Sequence, residues 1–126
     1  MLHHVRALVC MLPLTPATTG IINRETLSLL PRGSFLVNVG RGLHVVEEDL
    51  LELLHSGHIS AACLDVTATE PLPQDNKLWL APNVTITPHI AAATILPLAA
   101  QQVARKIQAL EQGQSITGVV DAALGY

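Results

Sequence analysis

Short apolar runs recur along this chain, each closed by proline, glycine or a polar residue and separated from the next by a helical segment or a proline-rich link. That alternation leaves few folds open, because strands separated by helices pair in parallel through right-handed crossovers. The runs are Val5 to Leu12, Phe35 to Val39, Ile59 to Val66 and Val84 to Thr87. The third is almost continuously apolar, as in sheets covered on both faces. Asn23 is suited to cap a short helix carrying Leu27, Leu29 and Leu30 before Pro31. Glu47, Glu48 and Asp49 open a second helix in keeping with its dipole, Leu50, Leu51, Leu53 and Leu54 give it an apolar face, and Gly57 stops it. The link from Thr67 to Asn83 has the length of a functional loop. A long helix is expected from Thr94 to Gly113, with Pro97 near its first turn. The sequence leaves the sense of the fourth strand and the structure of the tail after Gly113 open.

Only 13% of the 126 residues are charged, whereas 49% are hydrophobic. An ordinary soluble domain has about 25% charged residues. So little charge suggests surfaces that face other protein, and the chain is expected to form a homo-oligomer, a dimer for example, or to associate through exposed apolar surface. The net charge of −3 and scattered basic residues argue against a nucleic-acid partner. No apolar stretch reaches the roughly 18 residues of a membrane span, and Met1-Leu-His-His lacks the pattern of a signal peptide, so a cytoplasmic location is expected. Cys10 and Cys63 fall inside predicted strands, where a free cysteine behaves as a small buried apolar residue. His3-His4 and His55-Ser-Gly-His58 have no supporting Cys or Glu pattern, and no metal site is assigned.

Four polar residues, Arg41, Asp65, Glu70 and His89, follow the apolar runs. In open parallel sheets ligands bind beyond the carboxyl ends of the strands, so these residues are candidates for chemistry. A guanidinium can hold a carboxylate by two parallel hydrogen bonds. Asp65 is suited either to cap a turn or to accept hydrogen bonds from an amide-bearing ligand. A carboxylate beside an imidazole favours the charged ring and orients it, which makes Glu70 and His89 a candidate acid pair. Gly40-Arg-Gly42 is no phosphate loop, since it lacks both the Walker lysine and the third glycine of a dinucleotide fingerprint.

The run Leu30-Pro-Arg-Gly-Ser-Phe-Leu-Val-Asn-Val-Gly-Arg-Gly42 resembles the arginine signature of the D-isomer-specific 2-hydroxyacid dehydrogenases. Leu12-Pro-Leu-Thr-Pro16, Leu64-Asp-Val66, Glu70-Pro-Leu-Pro73 and Thr87-Pro-His-Ile90 are similar to that family's other motifs, in order. His89-Ile-Ala-Ala-Ala-Thr94 and Gly125-Tyr126 look most similar to its glyoxylate/hydroxypyruvate reductase A group.

The resemblance implies an α/β fold: the C-terminal part of a Rossmann-like NAD(P)-binding domain over residues 1–93, then a C-terminal helix and tail over 94–126 that would pack on a substrate domain. It implies hydride transfer between NADP or NAD and a small 2-oxo acid such as glyoxylate or hydroxypyruvate. Arg41 would hold the substrate carboxylate, His89 would donate the proton, and Glu70 would keep His89 protonated and aligned. Asp65 would bind the nicotinamide amide, with Leu12, Pro13, Val39, Gly40, Arg41, His89, Ala91 and Ala92 around the cofactor. The family's glycine fingerprint and substrate domain are absent from this sequence, so the chain is expected to be a C-terminal portion with little turnover of its own. Position 67 is Thr where related enzymes often carry an aromatic residue. The alternative is a non-catalytic interaction fragment that keeps the fold.

Overall fold

The computed structural model describes residues 2–123. The chain divides into two compact units, the first ending at Ala91 and the second beginning at Ala92. The Gly125-Tyr126 motif lies outside the described residues.

The first unit is built on a parallel sheet in the order β1 (Ala7–Cys10), β2 (Ser34–Asn38), β3 (Ile59–Leu64), β4 (Val84–Ile86). β4, whose sense the sequence left open, joins β3 in parallel. The observed strands are shorter than the apolar runs, because the ladder stops where prolines and polar turns begin. α1 (Arg24–Ser28) and α2 (Glu47–His55) fill the first two crossovers. Asn23 caps α1 as expected, its side chain accepting from the Thr26 N–H. α1 ends before Leu29, which is exposed, while Leu30 turns into the core.

Registration sorts the strand residues into two faces. Leu8, Cys10, Leu36, Asn38, Ala62 and Leu64 align on one, with Ala7, Val9, Phe35, Val37, Ala61 and Cys63 on the other. The first face packs with α1 and α2, where Leu27, Leu36, Leu50 and Ile59 are completely buried. Each such side chain contributes roughly 1.5–3 kcal/mol. Val9 and Phe35 on the second face are 52% and 47% exposed. Within this unit the helices therefore cover one face, not both. Cys63 is correspondingly only half-buried, whereas Cys10 is buried.

The link from 67 to 83 is not structureless. It contains a 3-10 turn, Lys77–Leu80, capped by Asn76 and anchored by the buried Leu78.

In the second unit, α3 (Leu96–Glu111) has Pro97 in its first turn and Gly113 at φ 70 just past its end. Ile95, Leu98, Val103, Ile107 and Leu110 are all exposed. Among the described residues no helix is long and apolar enough to cross a membrane.

Candidate active site

Where β3 ends, Asp65 is 4% exposed and turned toward the end of β4. Its Oδ1 accepts the Thr87 hydroxyl at 2.5 Å and the Ile90 N–H at 2.8 Å, and its Oδ2 accepts the Ala91 N–H at 2.9 Å. The Asp65 backbone carbonyl also accepts the His89 N–H at 2.9 Å. One residue thus clasps the loop on both sides of His89. The clasp has a purpose, because His89 adopts φ 54, a left-handed conformation that costs a non-glycine residue about 1–3 kcal/mol. These bonds fill roughly three of the carboxylate's four lone-pair sites. The Asp65 carboxyl is held below its ordinary range by the Thr87 hydroxyl first and then by the two N–H donors.

His89 is thereby aimed at Glu70. Its Nδ1–H donates to Glu70 Oε2 at 2.8 Å, while the other Glu70 oxygen accepts the Thr67 N–H at 3.1 Å. The bond from His89 lowers the Glu70 carboxyl below its usual range, with the Thr67 N–H and the Arg41 charge adding to it. An ionised carboxylate only accepts, so the ring carries a proton on Nδ1. His89 Nε2 has no hydrogen-bond partner among the described residues. A cavity of about 400 Å³ opens here, lined by Asp65, Thr67, Glu70 and His89 on its polar side and by Leu72 and Trp79 on its apolar side. Thr67 is buried and needed for its backbone donor, which gives that position a local role without an aromatic ring.

Both carboxyls have folded-state values below their unfolded ones, ordinarily 3.8 for Asp65 and 4.5 for Glu70. Their stabilisation is complete above those ordinary values and is lost as pH falls through the lowered ones. Acid unfolding followed by circular dichroism should show a loss of stability beginning as pH drops below this range. Asp65→Asn should flatten part of that slope, since an amide has no carboxyl to titrate. Equal slopes for both proteins would discount the clasp.

Arg41 follows β2, and its backbone is held at both polar atoms. Its carbonyl accepts Asn38 Nδ2–H at 3.0 Å, and its N–H donates to His44 Nδ1 at 3.1 Å. Arg41 is exposed and its guanidinium donates to the Gly40 carbonyl at 2.7 Å, its other N–H groups having no hydrogen-bond partner among the described residues. Gly42 explains how this loop reaches the Glu70 loop. A Cβ built there would lie 1.9 Å from the Thr67 carbonyl, so the two backbones are in direct contact. A Cβ built at Gly40 would lie less tightly, 3.2 Å from the Leu12 carbonyl and the His44 ring. Leu12 and Pro13 lie exposed in the loop after β1, and Val39 is half-buried.

Of the residues singled out in the sequence, Asp65, Glu70, His89 and Ala91 are joined by hydrogen bonds, and Arg41 stands close enough for its charge to act on Glu70. Ala92 is exposed and opens the second unit. Sequence reasoning missed Asn38, His44 and Thr87, which support the others. Asn38 and Thr87 carried a signal, since each is a polar residue within or next to an apolar strand. Among the described residues no cluster of three His, Cys, Asp or Glu side chains has a metal-holding arrangement.

Comparison with known proteins agrees with this geometry. Residues 1–91 match the family described as D-isomer specific 2-hydroxyacid dehydrogenase, NAD binding domain. A glyoxylate/hydroxypyruvate reductase A of Serratia proteamaculans is 52% identical over 122 residues, covering 97% of this chain and 39% of that protein. A D-isomer specific 2-hydroxyacid dehydrogenase of Xanthobacter autotrophicus, solved with NADPH and MES, superimposes with a TM-score of 0.93 at 45% identity, over 99% of this chain and 52% of its own. An NADPH-dependent glyoxylate/hydroxypyruvate reductase of Sinorhizobium meliloti, solved with NADP and sulfate, gives 0.91 at 39% identity, over 99% and 41%. The chain therefore spans between about two-fifths and one-half of the length of these relatives.

Proposed function

The chain belongs to the D-isomer specific 2-hydroxyacid dehydrogenase family through its NAD-binding domain, and on that premise we propose that it carries the catalytic side chains of an NADPH- or NADH-dependent reductase of small 2-oxo acids, glyoxylate or hydroxypyruvate being the type. The observation that carries this reading is the 2.8 Å His89–Glu70 pair, held by Asp65 at the carboxyl ends of a parallel sheet.

In this reading Arg41 binds the substrate carboxylate with its remaining N–H groups and polarises the adjacent keto oxygen. His89 Nε2 passes a proton to that oxygen, and the ring keeps its Nδ1 proton on Glu70 throughout. A bound nicotinamide supplies the hydride. The residues present fit that group. Asp65 keeps about one lone pair for a carboxamide N–H, and Gly40 places no side chain between the ends of β1 and β2. In the proposal Leu12, Pro13, Val39, Ala91 and Ala92 contribute apolar surface to the cofactor. The relatives solved with NADPH and NADP favour the phosphorylated cofactor.

The association expected from the low charge would use the sheet face bearing Val9 and Phe35. The exposed apolar residues of α3 suit the proposed packing of residues 94–126 on a substrate domain. The chain alone should turn over glyoxylate little or not at all. A chimera in which it replaces the matching 39% of the Serratia reductase should oxidise NADPH with glyoxylate. Arg41→Ala in that chimera should lower the rate by about 10²-fold or more. An inactive but folded chimera, or an Arg41→Ala chimera with full activity, would refute the assignment.

A further inference from the structure

His44 lies at the end of the 3-10 turn Gly42–His44 and is 0% exposed. Its ring spans from the Arg41 loop to the end of β1. Nδ1 is 3.1 Å from the Arg41 N–H, a group that can only donate, and Nε2 is 3.2 Å from the Pro13 carbonyl, a group that can only accept. Those two contacts are satisfied by one tautomer, with the proton on Nε2. Cys10 Sγ, 3.5 Å from Nδ1, adds a weak thiol donor to the same nitrogen. The Pro13 carbonyl also accepts the Thr18 hydroxyl at 2.8 Å, and the His44 carbonyl accepts the Ile22 N–H at 2.9 Å. Ring and backbone are thus both fixed.

We infer that His44 is a positioning residue of this site: its Nε2-protonated ring ties the backbone of Arg41 to the Pro13 loop and so sets where the guanidinium stands. The inference rests on the reading of Arg41 as the carboxylate-binding group. Asn38 holds the Arg41 carbonyl from the other side, so without His44 the residue would keep one of its two backbone tethers. An aliphatic side chain at 44 would fill much of the space yet leave the Arg41 N–H without a partner and the Pro13 carbonyl with only the Thr18 hydroxyl. A glutamine offers both an acceptor and a donor in its place.

Nuclear magnetic resonance on the full chain tests this. Long-range proton–nitrogen spectra should show His44 Nδ1 unprotonated and Nε2 protonated; a proton on Nδ1 would overturn the brace whether or not any variant folds. In His44→Leu the Arg41 amide should exchange with solvent about tenfold faster while the amides of β3 hold, and His44→Gln should restore much of the protection. Glyoxylate titrated against backbone amide shifts should bind about tenfold more weakly to His44→Leu and recover in His44→Gln. Faster exchange spread evenly over the sheet, with glyoxylate affinity unchanged, would reduce His44 to a core residue and sink the inference. Arg41→Ala separates the two readings. If it bound glyoxylate as well as the parent chain, the carboxylate reading would fail, while the tautomer and the Arg41 exchange rate would still decide whether His44 braces that loop.

Discussion

Replacing His89 by alanine in the chimera should lower kcat for glyoxylate by about 10²- to 10⁴-fold, the range a positioned general acid contributes. Affinity for NADPH should change little, since the backbone of the 89–91 loop is held by Asp65 and not by the imidazole. Glu70→Gln should give a smaller loss. Its amide oxygen can still accept from Nδ1, but the bond is no longer to a charged carboxylate and is weaker. The bond also fixes the ring's rotation, so the loss should appear in kcat more than in KM. Initial rates across a range of pH for the three proteins decide the matter. A His89→Ala rate within tenfold of the parent would remove the histidine from the proton path, and equal losses from both variants would show that the pair acts as a unit.

The second large effect is expected from one methyl group. Gly42→Ala would place a Cβ 1.9 Å from the Thr67 carbonyl carbon and oxygen and 2.4 Å from the Ala68 nitrogen. All three are backbone atoms and cannot swing aside as a side chain would. The Arg41 loop and the Glu70 loop must therefore separate. Overpacking of this kind costs about 1–3 kcal/mol, occasionally more, and here the displaced Thr67 N–H is a donor to Glu70. The variant should melt earlier and lose glyoxylate reduction in the chimera. Gly33→Ala is the contrast. Its added Cβ meets no atom within 4 Å, although φ 83 strains the backbone, and it lies just before β2, at the opposite end of the strand from Arg41. It should cost stability while sparing turnover. Normal turnover in a folded Gly42→Ala chimera would refute the close approach of the two loops.

Much of the scaffold could be read from local chemistry. Asn23, Gly57 and Gly113 mark helix boundaries because capping and chain reversal depend on a residue and its near neighbours. Apolar runs mark the strands but overrun them, since an apolar run continues into residues that no longer have a ladder partner. Leu29 continues the apolar spacing of α1 past its end for a similar reason. Spacing alone does not reveal that α1 stops one residue earlier. The single helical cover on the sheet was also hidden, because Val9 and Phe35 are as apolar as Leu8 and Leu36 and differ only in which face the register gives them.

The same division runs through the site. Arg41, Asp65, Glu70 and His89 stand out in the sequence because each is polar and sits where an apolar run has just ended, and parallel pairing sends those ends to one edge. Their residue types already limit the chemistry to holding an acid and moving a proton. What only the tertiary structure decided is how they are held. The Asp65 carboxylate spends three hydrogen bonds on the loop around His89, Gly42 lets two backbones touch, and the rings and amides of His44 and Asn38 fix Arg41. The bonds of Asn38 and His44 to Arg41 are local, but the Asp65 bonds and the Gly42 approach join residues far apart in the chain, and no local pattern records them. Directional bonds between remote groups exist only once the sheet has brought the strand ends together.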